Sequence, residues 1–464
     1  MSKSAYAHFI GIGGAGMSAI ARVLHERGAV VSGSDLKESK YARRLSEAGV
    51  CIYIGHDADN LGDPEIVVTS SAITDKNPEL AEAKRRGVPI WPRAKMLAHL
   101  AENRQTVAVA GTHGKTSTSA MVASMLHDMG EDPTFLIGGE VVAFGTNGGC
   151  GEGPHYVVEA DESDGSFIYL NPAVALVTNI EAEHLDHYGT LEKVESTFVE
   201  FMAKVPEDGT LVLYADDTRL LELSADLTAR KVTYGSCDSA DVRYHSLRPD
   251  GLGTSFSISL PNGSSVDAFV PIPGEHMVAN ATGAVAVAVA LGLDGAAAAR
   301  GILAFAGVKR RFDKVGEVAG VSIVDDYAHH PTEIRATLGA ARGVRPRRLW
   351  ALFQPHRYSR TETLGPEFGD AFDMADRVVV MDVYSAGEVP IPGVSGKTVI
   401  DSVLEVSPRA QVTYLPHRAD IAPYLADRVK SGDMVMTMGA GDVTTMGPEI
   451  LRALAPQEEG AGCR

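Results

Sequence analysis

The chain has 464 residues, of which 45% are hydrophobic, and its formal net charge is −18. The length predicts about three domains of roughly 150 residues each. The acidic charge excludes a protein that coats nucleic acid, because phosphates require a basic face, but it leaves room for small phosphorylated ligands. No C-x-x-C pair occurs among the four scattered cysteines, so neither a disulfide framework nor a zinc site is expected; they are Cys51, Cys150, Cys237 and Cys463.

The sequence predicts neither a signal peptide nor a membrane-spanning helix. Its N-terminus lacks a charged segment followed by a long apolar stretch. The most apolar segment, residues 278–293, is rich in alanine and too short to cross a bilayer comfortably, so we expect a buried helix there. We therefore expect a cytoplasmic protein without membrane insertion. The sequence carries no signal for an oligomeric state.

Strand and helix patterns alternate over residues 1–103, which predicts a parallel sheet with crossover helices. The strands are expected at 8–10, 30–32, 66–69 and 88–92, and the helices at 17–26, 42–48 and 94–101. A G-x-G-x-x-G loop, residues 11–16, follows the first strand, and Asp35 lies about 20 residues further on. This pattern is typical of loops that bind a diphosphate at a helix N-terminus. The pattern alone does not distinguish NAD from a UDP-sugar.

A second α/β pattern begins near residue 104. Strands are expected at 106–110, 156–159, 173–178 and 210–214, then an antiparallel stretch at 231–235, 254–260 and 265–270, and a helix at 278–291. Residues 111–116, Gly-Thr-His-Gly-Lys-Thr, form a shortened Walker A loop, since Val109 stands where the full pattern has glycine. A lysine in this position binds β- and γ-phosphates, and the following hydroxyl binds Mg²⁺. We therefore predict that the loop binds ATP.

Two acidic segments, residues 159–164 and 181–187, directly follow strands of this second pattern. The carboxyl ends of parallel strands meet at one edge of a sheet, and Mg²⁺ prefers oxygen ligands. The segments therefore predict a magnesium site beside the Walker A loop. The alternative for each segment taken alone is a solvated acidic turn.

A third alternation begins near residue 309, with strands expected at 322–325, 348–353, 377–381, 411–414 and 434–438 and a helix at 331–341. Segments rich in arginine, histidine and aspartate occur at 310–312, 325–331 and 354–360. The arginine fork bonds two oxygens of a phosphate or carboxylate at once. One such loop is more often solvated than functional, but three in one domain favour an anion-binding site.

Taken in order over nearly the whole chain, these motifs resemble those of the Mur ligases. The segments that carry the resemblance are Gly-Thr-His-Gly-Lys-Thr, Glu-Ala-Asp-Glu-Ser-Asp, Asn-Ile-Glu-Ala-Glu-His-Leu-Asp, Gly-Glu-His-Met-Val-Ala-Asn-Ala, Arg-Arg-Phe-Asp, Asp-Asp-Tyr-Ala-His-His-Pro-Thr-Glu and Gln-Pro-His-Arg-Tyr-Ser-Arg-Thr. Within the family, the motifs look most like those of the member that adds L-alanine.

The resemblance implies an α/β protein of three domains. These are a Rossmann-like N-terminal domain for the UDP-sugar (1–103), a central P-loop ATPase-type α/β domain (104–308) and a C-terminal Rossmann-like α/β domain for the amino acid (309–464). It also implies the reaction, with ATP as a substrate and Mg²⁺, in two ions, as the cofactor. ATP would phosphorylate the lactoyl carboxylate of UDP-N-acetylmuramate, and the amine of L-alanine would attack the acyl phosphate.

The resemblance also implies roles for individual residues. ATP would contact Gly111, Thr112, His113, Gly114, Lys115, Thr116, Ser117, His276 and Asn280, with Arg311 at the γ-phosphate and Asp326 near the ribose. Magnesium would be held by Thr116, Glu159 and His184. The UDP-sugar would contact Gly11, Gly13, Gly14, Gly16, Asp35, Ser70, Ser71 and Arg93. L-Alanine would be held by Tyr327, His356, Arg357 and Arg360. The expected catalytic residues are Lys115, His184, Arg311 and His329, of which His329 is the candidate general base.

One departure from the family pattern bears on the choice of member. Some relatives, which add the later amino acids of the peptide, carry a carbamylated lysine about 14 positions after the metal-binding histidine. Phe198 occupies that position here. This weakens assignment to the D-glutamate- and diaminopimelate-adding relatives. Two alternatives stay open: a recycling ligase that joins a murein tripeptide to the same UDP-sugar, and an NAD-dependent oxidoreductase that uses the first glycine loop.

Overall fold

The computed structural model describes residues 5–70 and 72–455. The chain groups into two compact units, the first made of residues 1–247, 255–270 and 278–306 and the second of residues 248–254, 271–277 and 307–464. Two sheets belong to the first unit and one to the second, as far as the described residues go. These sheets with their helices form the three-domain α/β fold that the sequence predicts.

The N-terminal sheet is parallel, with strand order β3-β2-β1-β4-β5. Its strands are β1 (Tyr6–Ile10), β2 (Val30–Asp35), β3 (Cys51–Ile54), β4 (Ile66–Thr69) and β5 (Ile90–Pro92). The helices between and after them are α1 (Ala15–Glu26), α2 (Lys40–Glu47), α3 (Pro78–Arg86) and α4 (Arg93–Leu100). This is the predicted arrangement, and the pattern analysis missed β3 and α3.

Helix α3 shows how local sequence sets the position of a buried side chain. Asn77 caps the helix by accepting hydrogen bonds from the backbone N–H groups of Glu79 and Leu80, and Pro78 occupies the first turn. Both residue types are favoured at these positions. The helix ends at Gly87, whose backbone is left-handed, as is common at helix C-termini. The cap therefore fixes Glu79 at the helix N-terminus, where its side chain is fully buried.

The central sheet has strand order β15-β14-β13-β12-β11-β10-β6-β9-β7-β8. Its strands are β6 (Gln105–Ala110), β7 (Thr134–Val141), β8 (Thr146–Gly149), β9 (His155–Glu159), β10 (Val174–Val177), β11 (Thr210–Tyr214), β12 (Arg230–Gly235), β13 (Val242–Asp250), β14 (Gly253–Ser259) and β15 (Ser265–Val270). The helices are α5 (Lys115–Asp128), α6 (Leu185–Tyr188), α7 (Leu191–Met202), α8 (Thr218–Ser224), α9 (Glu275–Ala290) and α10 (Gly295–Gly301).

The central sheet corrects one prediction. The stretch at 231–235 was expected to be antiparallel, but β12 pairs with β11 and with β13 in parallel register. Helix α8 forms the crossover between β11 and β12, and this short helix was missed. The antiparallel pairing at the opposite end of the sheet, between β7 and β8, was missed as well.

One large hydrophobic cluster is shared by the N-terminal and central domains. A single hydrophobic cluster contains side chains of the N-terminal domain, such as Phe9 and Ile20, together with Val158 and Phe198 of the central domain. Helix α5 is buried along its whole length from Thr116 to Leu126, and α9 is the buried alanine-rich helix predicted at 278–291. Within the described part of the chain, no helix combines the length and apolarity needed to cross a membrane.

The C-terminal sheet has strand order β16-β17-β21-β18-β19-β20, parallel except for the antiparallel pair β16–β17. Its strands are β16 (Asp313–Val318), β17 (Val321–Asp326), β18 (Leu349–Phe353), β19 (Arg377–Val380), β20 (Val412–Tyr414) and β21 (Met434–Met438). The helices are α11 (Pro331–Gly343), α12 (Tyr358–Thr363), α13 (Gly396–Val406), α14 (Arg418–Arg428) and α15 (Met446–Leu454). Hydrophobic clusters cover both faces of this sheet, as a parallel sheet requires. The predicted strands are confirmed, and β16 is an addition.

Candidate active site

The first glycine loop joins β1 to the N-terminus of α1 and lines a cavity of about 420 Å³. Asp35 at the end of β2 accepts a hydrogen bond from the backbone N–H of Gly13 at 2.9 Å, and the hydroxyl of Ser39 donates to the Gly13 carbonyl at 2.9 Å. These bonds fix the conformation of the loop at Gly13. Backbone N–H groups at a helix N-terminus suit an anion such as a diphosphate.

The cavity brings together most of the residues predicted for the UDP-sugar. Its lining residues are Gly11, Gly14, Gly16, Met17, Asp35, Leu36, His56, Ser70, Ala72, Ile73 and Arg93. Gly13 does not line the cavity but is hydrogen-bonded to Asp35 and Ser39. Ser71 lies outside the described residues. His56 was not predicted, because the short segment that carries it shows no recognisable motif.

Arg93 connects this cavity to the central domain. It opens α4, and its guanidinium lies 3.8 Å from Asp161 in the acidic segment after β9. Gly16 lies against the same guanidinium, since a Cβ at Gly16 would be 3.0 Å from Arg93 Nη1. A cationic side chain therefore stands between the first glycine loop and the acidic loop of the second site.

The second glycine loop leads from β6 into α5, and two contacts show why glycine is needed there. Gly111 has a φ of +132°, and a Cβ added to it would lie 2.0 Å from the hydroxyl of Thr178. Gly114 has a φ of +84°, and its Cβ would lie 2.9 Å from the Asn280 side chain. The loop is thus pressed against β10 and α9, which places the predicted Asn280 beside it.

Asn179 and Thr178 clamp the loop from the end of β10. The Asn179 side chain accepts a hydrogen bond from the His113 backbone N–H at 2.9 Å, and both Thr178 and Asn179 donate to the His113 carbonyl. His113 itself lies 3.3 Å from Glu181. Asn179 was not predicted, although it opens the quoted motif Asn-Ile-Glu-Ala-Glu-His.

Lys115 is the first residue of α5, and its ammonium group donates hydrogen bonds to three oxygens of the protein. Nζ donates to the carbonyl oxygens of Gly111 at 2.6 Å and Thr112 at 3.0 Å, and to Glu162 Oε1 at 2.7 Å. Burial alone would lower the pKa of Lys115, but the charges of Glu162 and Asp161 raise it above its ordinary value. The lysine is therefore a cation at neutral pH, ready for phosphate oxygens.

The acidic segment after β9 places two carboxylates at the start of α5. Glu159 accepts from the Thr116 hydroxyl at 2.7 Å and from the Gly138 backbone N–H at 2.6 Å. Glu162 is almost fully buried, with its Oε1 3.8 Å from His184 Nε2. Its other oxygen, Oε2, is buried without a hydrogen-bond partner among the described residues.

These side chains fit a magnesium ion. A buried carboxylate oxygen without a donor calls for a cation, and hydroxyl and carboxylate oxygens are the ligands that Mg²⁺ prefers. Thr116, Glu159 and His184 are the ligands predicted from the sequence, and Glu162, 3.8 Å from His184, is a further oxygen donor beside them. Sequence reasoning named the segment that contains Glu162 but assigned it no role.

The nucleotide residues predicted on α9 differ in environment. Asn280 is buried against the second loop, whereas His276, one helical turn earlier, is exposed. Phe198, on α7, is buried and packs edge-to-face against Phe167 with ring centroids 5.2 Å apart. The position where some relatives carry a carbamylated lysine is thus part of the apolar core.

In the second unit, Asp326 ends β17 and organises the loop of Arg310 and Arg311. It accepts hydrogen bonds from the backbone N–H groups of Phe312 at 2.7 Å and Ala328 at 2.8 Å. Burial raises the pKa of Asp326 to about 6, and Arg311 opposes the shift. Both arginines lie over the Tyr327 ring, with guanidinium carbons 4.8 and 5.0 Å from its centroid. The predicted Arg311, Asp326 and Tyr327 therefore form one cluster.

His329 and its neighbours on α11 form a polar group beside this cluster. A capping box formed by His330 and Glu333 starts the helix, and Glu333 also accepts from the His329 backbone N–H at 3.0 Å. His329 Nδ1 lies 3.1 Å from the Tyr327 carbonyl. Because a carbonyl oxygen only accepts, Nδ1 carries a proton and the lone pair of the neutral ring is on Nε2.

The loop after β18 brings His356, Arg357 and Arg360 to the same edge of the sheet. His356 stacks on Tyr384 with ring centroids 5.6 Å apart, and its ring lies 6.2 Å from that of His329. Its Nδ1 lies 3.3 Å from an Arg360 nitrogen. Burial, together with the charges of His329 and Arg360, lowers the pKa of His356 to about 4, so the ring is neutral at pH 7.

A carboxylate that the sequence did not reveal fixes the backbone of this loop. Glu388 accepts from the backbone N–H of Ser359 at 3.1 Å and from its hydroxyl at 2.7 Å, and lies 3.9 Å from Arg357 Nε. Arg357 adopts a φ of +67°, a conformation that a side chain rarely takes unless its surroundings enforce it. The loop of Tyr384 and Glu388 carries no local motif, so only the fold reveals these contacts.

Protein-family models match the chain over most of its length. The model described as Mur ligase family, catalytic domain, matches residues 6–105, the Mur ligase middle domain matches residues 109–288, and the Mur ligase, glutamate ligase domain, matches residues 310–441. A UDP-N-acetylmuramate–L-alanine ligase of Rubrobacter xylanophilus is 49% identical over 451 residues, which are 96% of this chain and 99% of the relative.

The chain belongs to the Mur ligase family. A second relative with the same name, from Pelobacter propionicus, is 47% identical to this Mur ligase over 96% of the chain and 97% of the relative.

Solved structures agree with this membership. The UDP-N-acetylmuramate-alanine ligase of Thermotoga maritima superimposes on this Mur ligase with a TM-score of 0.80 at 31% identity, covering 96% of this chain and 98% of that one. A murein peptide ligase of Psychrobacter arcticus gives a TM-score of 0.73 at 27% identity, covering 98% and 99%.

Proposed function

We propose that this Mur ligase joins L-alanine to the lactoyl carboxylate of UDP-N-acetylmuramate with ATP, through an acyl phosphate, in peptidoglycan precursor synthesis. One observation carries the proposal: relatives named for this reaction are 45–49% identical over nearly the whole chain. The two phosphate-binding loops and the arginine- and histidine-rich loops supply the types of group that the reaction needs.

We assign one main ligand to each domain, with the boundaries predicted from the sequence. Residues 1–103 hold the UDP-sugar, 104–308 hold most of the ATP site, and 309–464 hold the amino acid and contribute Arg311 and Asp326 to ATP. The cavity at the first glycine loop supports the first assignment. The clamped second loop with its lysine supports the second. The cluster of His329, His356, Arg357 and Arg360 supports the third.

In the first step, a lactoyl carboxylate oxygen attacks the γ-phosphorus of ATP, a C–O–P bond forms, and ADP leaves. Lys115 donates hydrogen bonds to the phosphate oxygens in exchange for its present bonds to two carbonyls and Glu162. Arg311 is assigned to the γ-phosphate and Asn280 to the adenine. Fixed cationic donors of this kind stabilise the charge that develops on a transferring phosphoryl group.

Magnesium belongs to the same proposal. Thr116, Glu159, Glu162 and His184 would hold it, and the bound ions, two by the family resemblance, would neutralise charge between the phosphates and the attacking carboxylate. Within the chain, the task of Glu159 is to orient the Thr116 hydroxyl, and the task of Glu162 is to hold Lys115 at the loop.

In the second step, the neutral amine of L-alanine attacks the acyl carbon, and the tetrahedral intermediate expels inorganic phosphate. Arg357 and Arg360 bind the alanine carboxylate. Because the side chain of alanine is only a methyl group, the carboxylate is the main group by which the enzyme recognises it. His329 is assigned as the base, because its Nδ1 proton is held by the Tyr327 carbonyl and its Nε2 carries the lone pair. His356 stays neutral, and its ring packs between those of His329 and Tyr384.

A phosphate-release assay tests the proposal. Purified protein is given ATP, Mg²⁺ and UDP-N-acetylmuramate, and L-alanine is compared with glycine, L-serine and the murein tripeptide. We expect the fastest release with L-alanine and a product heavier by one alanine residue in mass spectrometry. The second candidate function is tripeptide ligation, which the similarity to the murein peptide ligase favours. Preference for the tripeptide would establish that reaction instead.

A further inference from the structure

A buried carboxylate in the N-terminal domain lies at the centre of a polar network. Glu79 is fully buried, and its Oε1 accepts from the Asn60 side chain at 2.9 Å and from the Asp57 backbone N–H at 3.2 Å. Its Oε2 accepts from the Ser34 hydroxyl at 2.5 Å and lies 3.2 Å from His8 Nε2. Burial alone would raise the pKa of Glu79, but the hydrogen bonds from His8, Ser34 and Asn60 lower it to about 2. The group is therefore a fixed anion.

The protons of this network can be assigned one by one, starting from Glu79. An ionised carboxylate only accepts, so the single hydroxyl proton of Ser34 points at Glu79 Oε2. Ser34 Oγ then acts as the acceptor for His56 Nδ1, which lies 2.9 Å away. Nδ1 also lies 3.5 Å from Glu79 Oε1. Both neighbours require a proton on Nδ1, so the neutral ring carries its lone pair on Nε2.

His56 lines the cavity of the first glycine loop, and because its Nδ1 faces Ser34 and Glu79, Nε2 is the ring nitrogen left for a ligand. The ring lines the cavity together with Gly11, Asp35 and Ser70, and its side chain is 10% exposed. Its Nε2 makes no hydrogen bond to any residue that the structure describes. The network thus aims a hydrogen-bond acceptor, not a donor, at a ligand in this cavity.

The position of His56 in the sheet indicates which part of the ligand it meets. It follows β3, which is two strands from β1 and its glycine loop. Neighbouring strands are about 4.8 Å apart, so the backbone at His56 lies roughly 10 Å across the sheet from β1, while its ring reaches back to Ser34 at the end of β2. A lone pair also repels phosphate oxygens. The complementary group is a donor on the nucleoside.

We propose that His56 is a specificity residue for the nucleoside of the UDP-sugar. Its Nε2 accepts a hydrogen bond from a nucleoside donor, either the N3–H of the uracil or a ribose hydroxyl, and Glu79 is the positioning residue that fixes this tautomer through Ser34. The inference rests on the proposed function, because it takes the cavity at Gly11–Gly16 to be the UDP site.

Calorimetry with UDP provides the first test, on wild type, His56→Ala, His56→Gln and the control His25→Ala. His25 is in the same domain, contacts the Ala48 carbonyl and is not part of the cavity lining. Loss of one hydrogen bond between uncharged groups weakens binding about 3- to 10-fold. We expect that loss in the His56→Ala and His56→Gln variants, with no change in the control. In turnover, KM for the UDP-sugar should rise by the same factor, with kcat and the KM values for ATP and L-alanine unchanged.

Ligand analogues identify the donor. N3-methyl-UDP lacks the uracil donor, and 2′-deoxy- and 3′-deoxy-UDP each lack one hydroxyl. For wild type, one of these should bind about 3- to 10-fold more weakly than UDP, and this difference should vanish in His56→Ala. If every analogue loses the same factor in both proteins, His56 accepts no hydrogen bond from the nucleoside and the proposal is overturned.

Nitrogen NMR of the ¹⁵N-histidine-labelled full chain tests the positioning role, because a ring nitrogen that carries a proton and one that carries a lone pair have different shifts. The His56 signal, identified by its loss in His56→Gln, should show the Nδ1–H form in wild type. Glu79→Gln should produce a mixture of tautomers and weaken UDP binding. Ser34→Ala is the second variant if Glu79→Gln does not fold.

A wild type with the proton on Nε2 would contradict the positioning role. Failure of UDP to bind at all would refute the proposed function, whereas UDP binding that is unaffected by the His56 substitutions refutes this inference alone.

Discussion

At the scale of single residues, charge placement is the main determinant of function in this chain. Lys115, Arg93 and the arginines of the second unit are cations held by specific carboxylates or carbonyls rather than left in solvent. We propose that Lys115, Arg93 and the arginines assigned to ligands exchange these partners for oxygens of the substrates. Substitutions at these positions should therefore affect one substrate more than the others.

Lys115→Ala should abolish ligation and leave UDP binding nearly unchanged. The lysine belongs to the second loop, while the cavity proposed to bind UDP is formed by the first. Loss of one preorganised donor to developing charge lowers rates by about 10²–10³, and a lysine at the transferring phosphate should exceed that. Phosphate release and UDP calorimetry measure the two effects, with the exposed Lys193→Ala as control. If the variant turns over like wild type, the second loop does not bind the ATP phosphates through Lys115.

Arg357→Leu should act mainly on the amino acid. When a bound carboxylate loses a charge-assisted hydrogen-bond partner, its binding free energy weakens by roughly 2–5 kcal/mol. The KM for L-alanine should therefore rise steeply. ATP affinity should change little, because the residues assigned to ATP include Lys115 and Asn280 rather than Arg357. Steady-state kinetics with each substrate varied in turn will measure this, and the exposed Arg452→Leu serves as control. An unaltered alanine KM beside a large loss of ATP affinity would assign Arg357 to the nucleotide.

Glu79 should make the stability of the N-terminal domain depend on pH in the acid range. Its pKa is about 2 in the folded protein, against an ordinary 4.5. A lowered carboxyl pKa stabilises the fold above about pH 4.5, and this stabilisation, about 3 kcal/mol, is lost as pH falls toward 2. Glu79→Gln should therefore unfold well before wild type at pH 7, and the gap should narrow below pH 4.5. Urea titrations at several pH values measure it; a gap independent of pH would contradict the assigned ionisation.

At the scale of elements, the sequence predicted what local pattern encodes and missed what partners decide. The strand–glycine–helix units at β1–α1 and β6–α5 were placed correctly because turn, strand and helix N-terminus are adjacent in sequence. The direction of β12 was wrong, because a short apolar run pairs equally well with neighbours in either direction until the connecting helix, α8, is in place. Strands β7, β8 and β13 lack a clean alternation and were missed.

The same distinction explains which site residues could be foreseen. Lys115, Glu159 and Arg357 lie within contiguous motifs. Glu79 is 45 residues from the Ser34 hydroxyl that it accepts from, and Glu388 is 29 residues from Ser359. Only the fold brings such pairs together, so their roles could not be read from spacing along the chain.

Two glycine-to-alanine substitutions should have opposite effects. Gly111 has a φ of +132° and its Cβ would meet Thr178 at 2.0 Å, whereas Gly339, inside α11, has open space around the corresponding position. Gly111→Ala should therefore distort the second loop and abolish ATP binding while UDP still binds. Gly339→Ala should stabilise the second unit by about 0.5–1 kcal/mol, because alanine is the better helix former. Nucleotide titration and thermal melts measure both. ATP affinity retained by Gly111→Ala would show that the loop tolerates displacement.

At the scale of the whole molecule, the motifs proposed to bind ligands lie in loops that follow parallel strands in each of the three sheets. The first glycine loop follows β1, the second follows β6, and the amino-acid cluster follows β17 and β18. This matches the rule that open α/β sheets bind ligands beyond the carboxyl ends of their strands. The fold alone does not state which dinucleotide or nucleotide-sugar the first loop binds.

NAD(H) should not bind usefully to this protein, whereas UDP-N-acetylmuramate should. The first loop fits both ligands by pattern, but the other two domains carry a Walker A-like loop and an arginine-rich cluster, for which an oxidoreductase has no need. Calorimetry with both ligands, and NADH fluorescence as a second readout, will decide. Micromolar affinity for NAD with none for the UDP-sugar would restore the oxidoreductase alternative.

The saturated ammonium of Lys115 has a consequence for the end of each turnover. An ammonium group has three N–H donors, and here all three are engaged by two carbonyls and Glu162. A free phosphate ion arriving alone must compete with partners already in place, including the Glu162 carboxyl group at 2.7 Å. Inorganic phosphate alone is therefore expected to bind this loop weakly. The lysine returns to its own protein partners as product departs, and product inhibition by phosphate should be weak even at millimolar concentration.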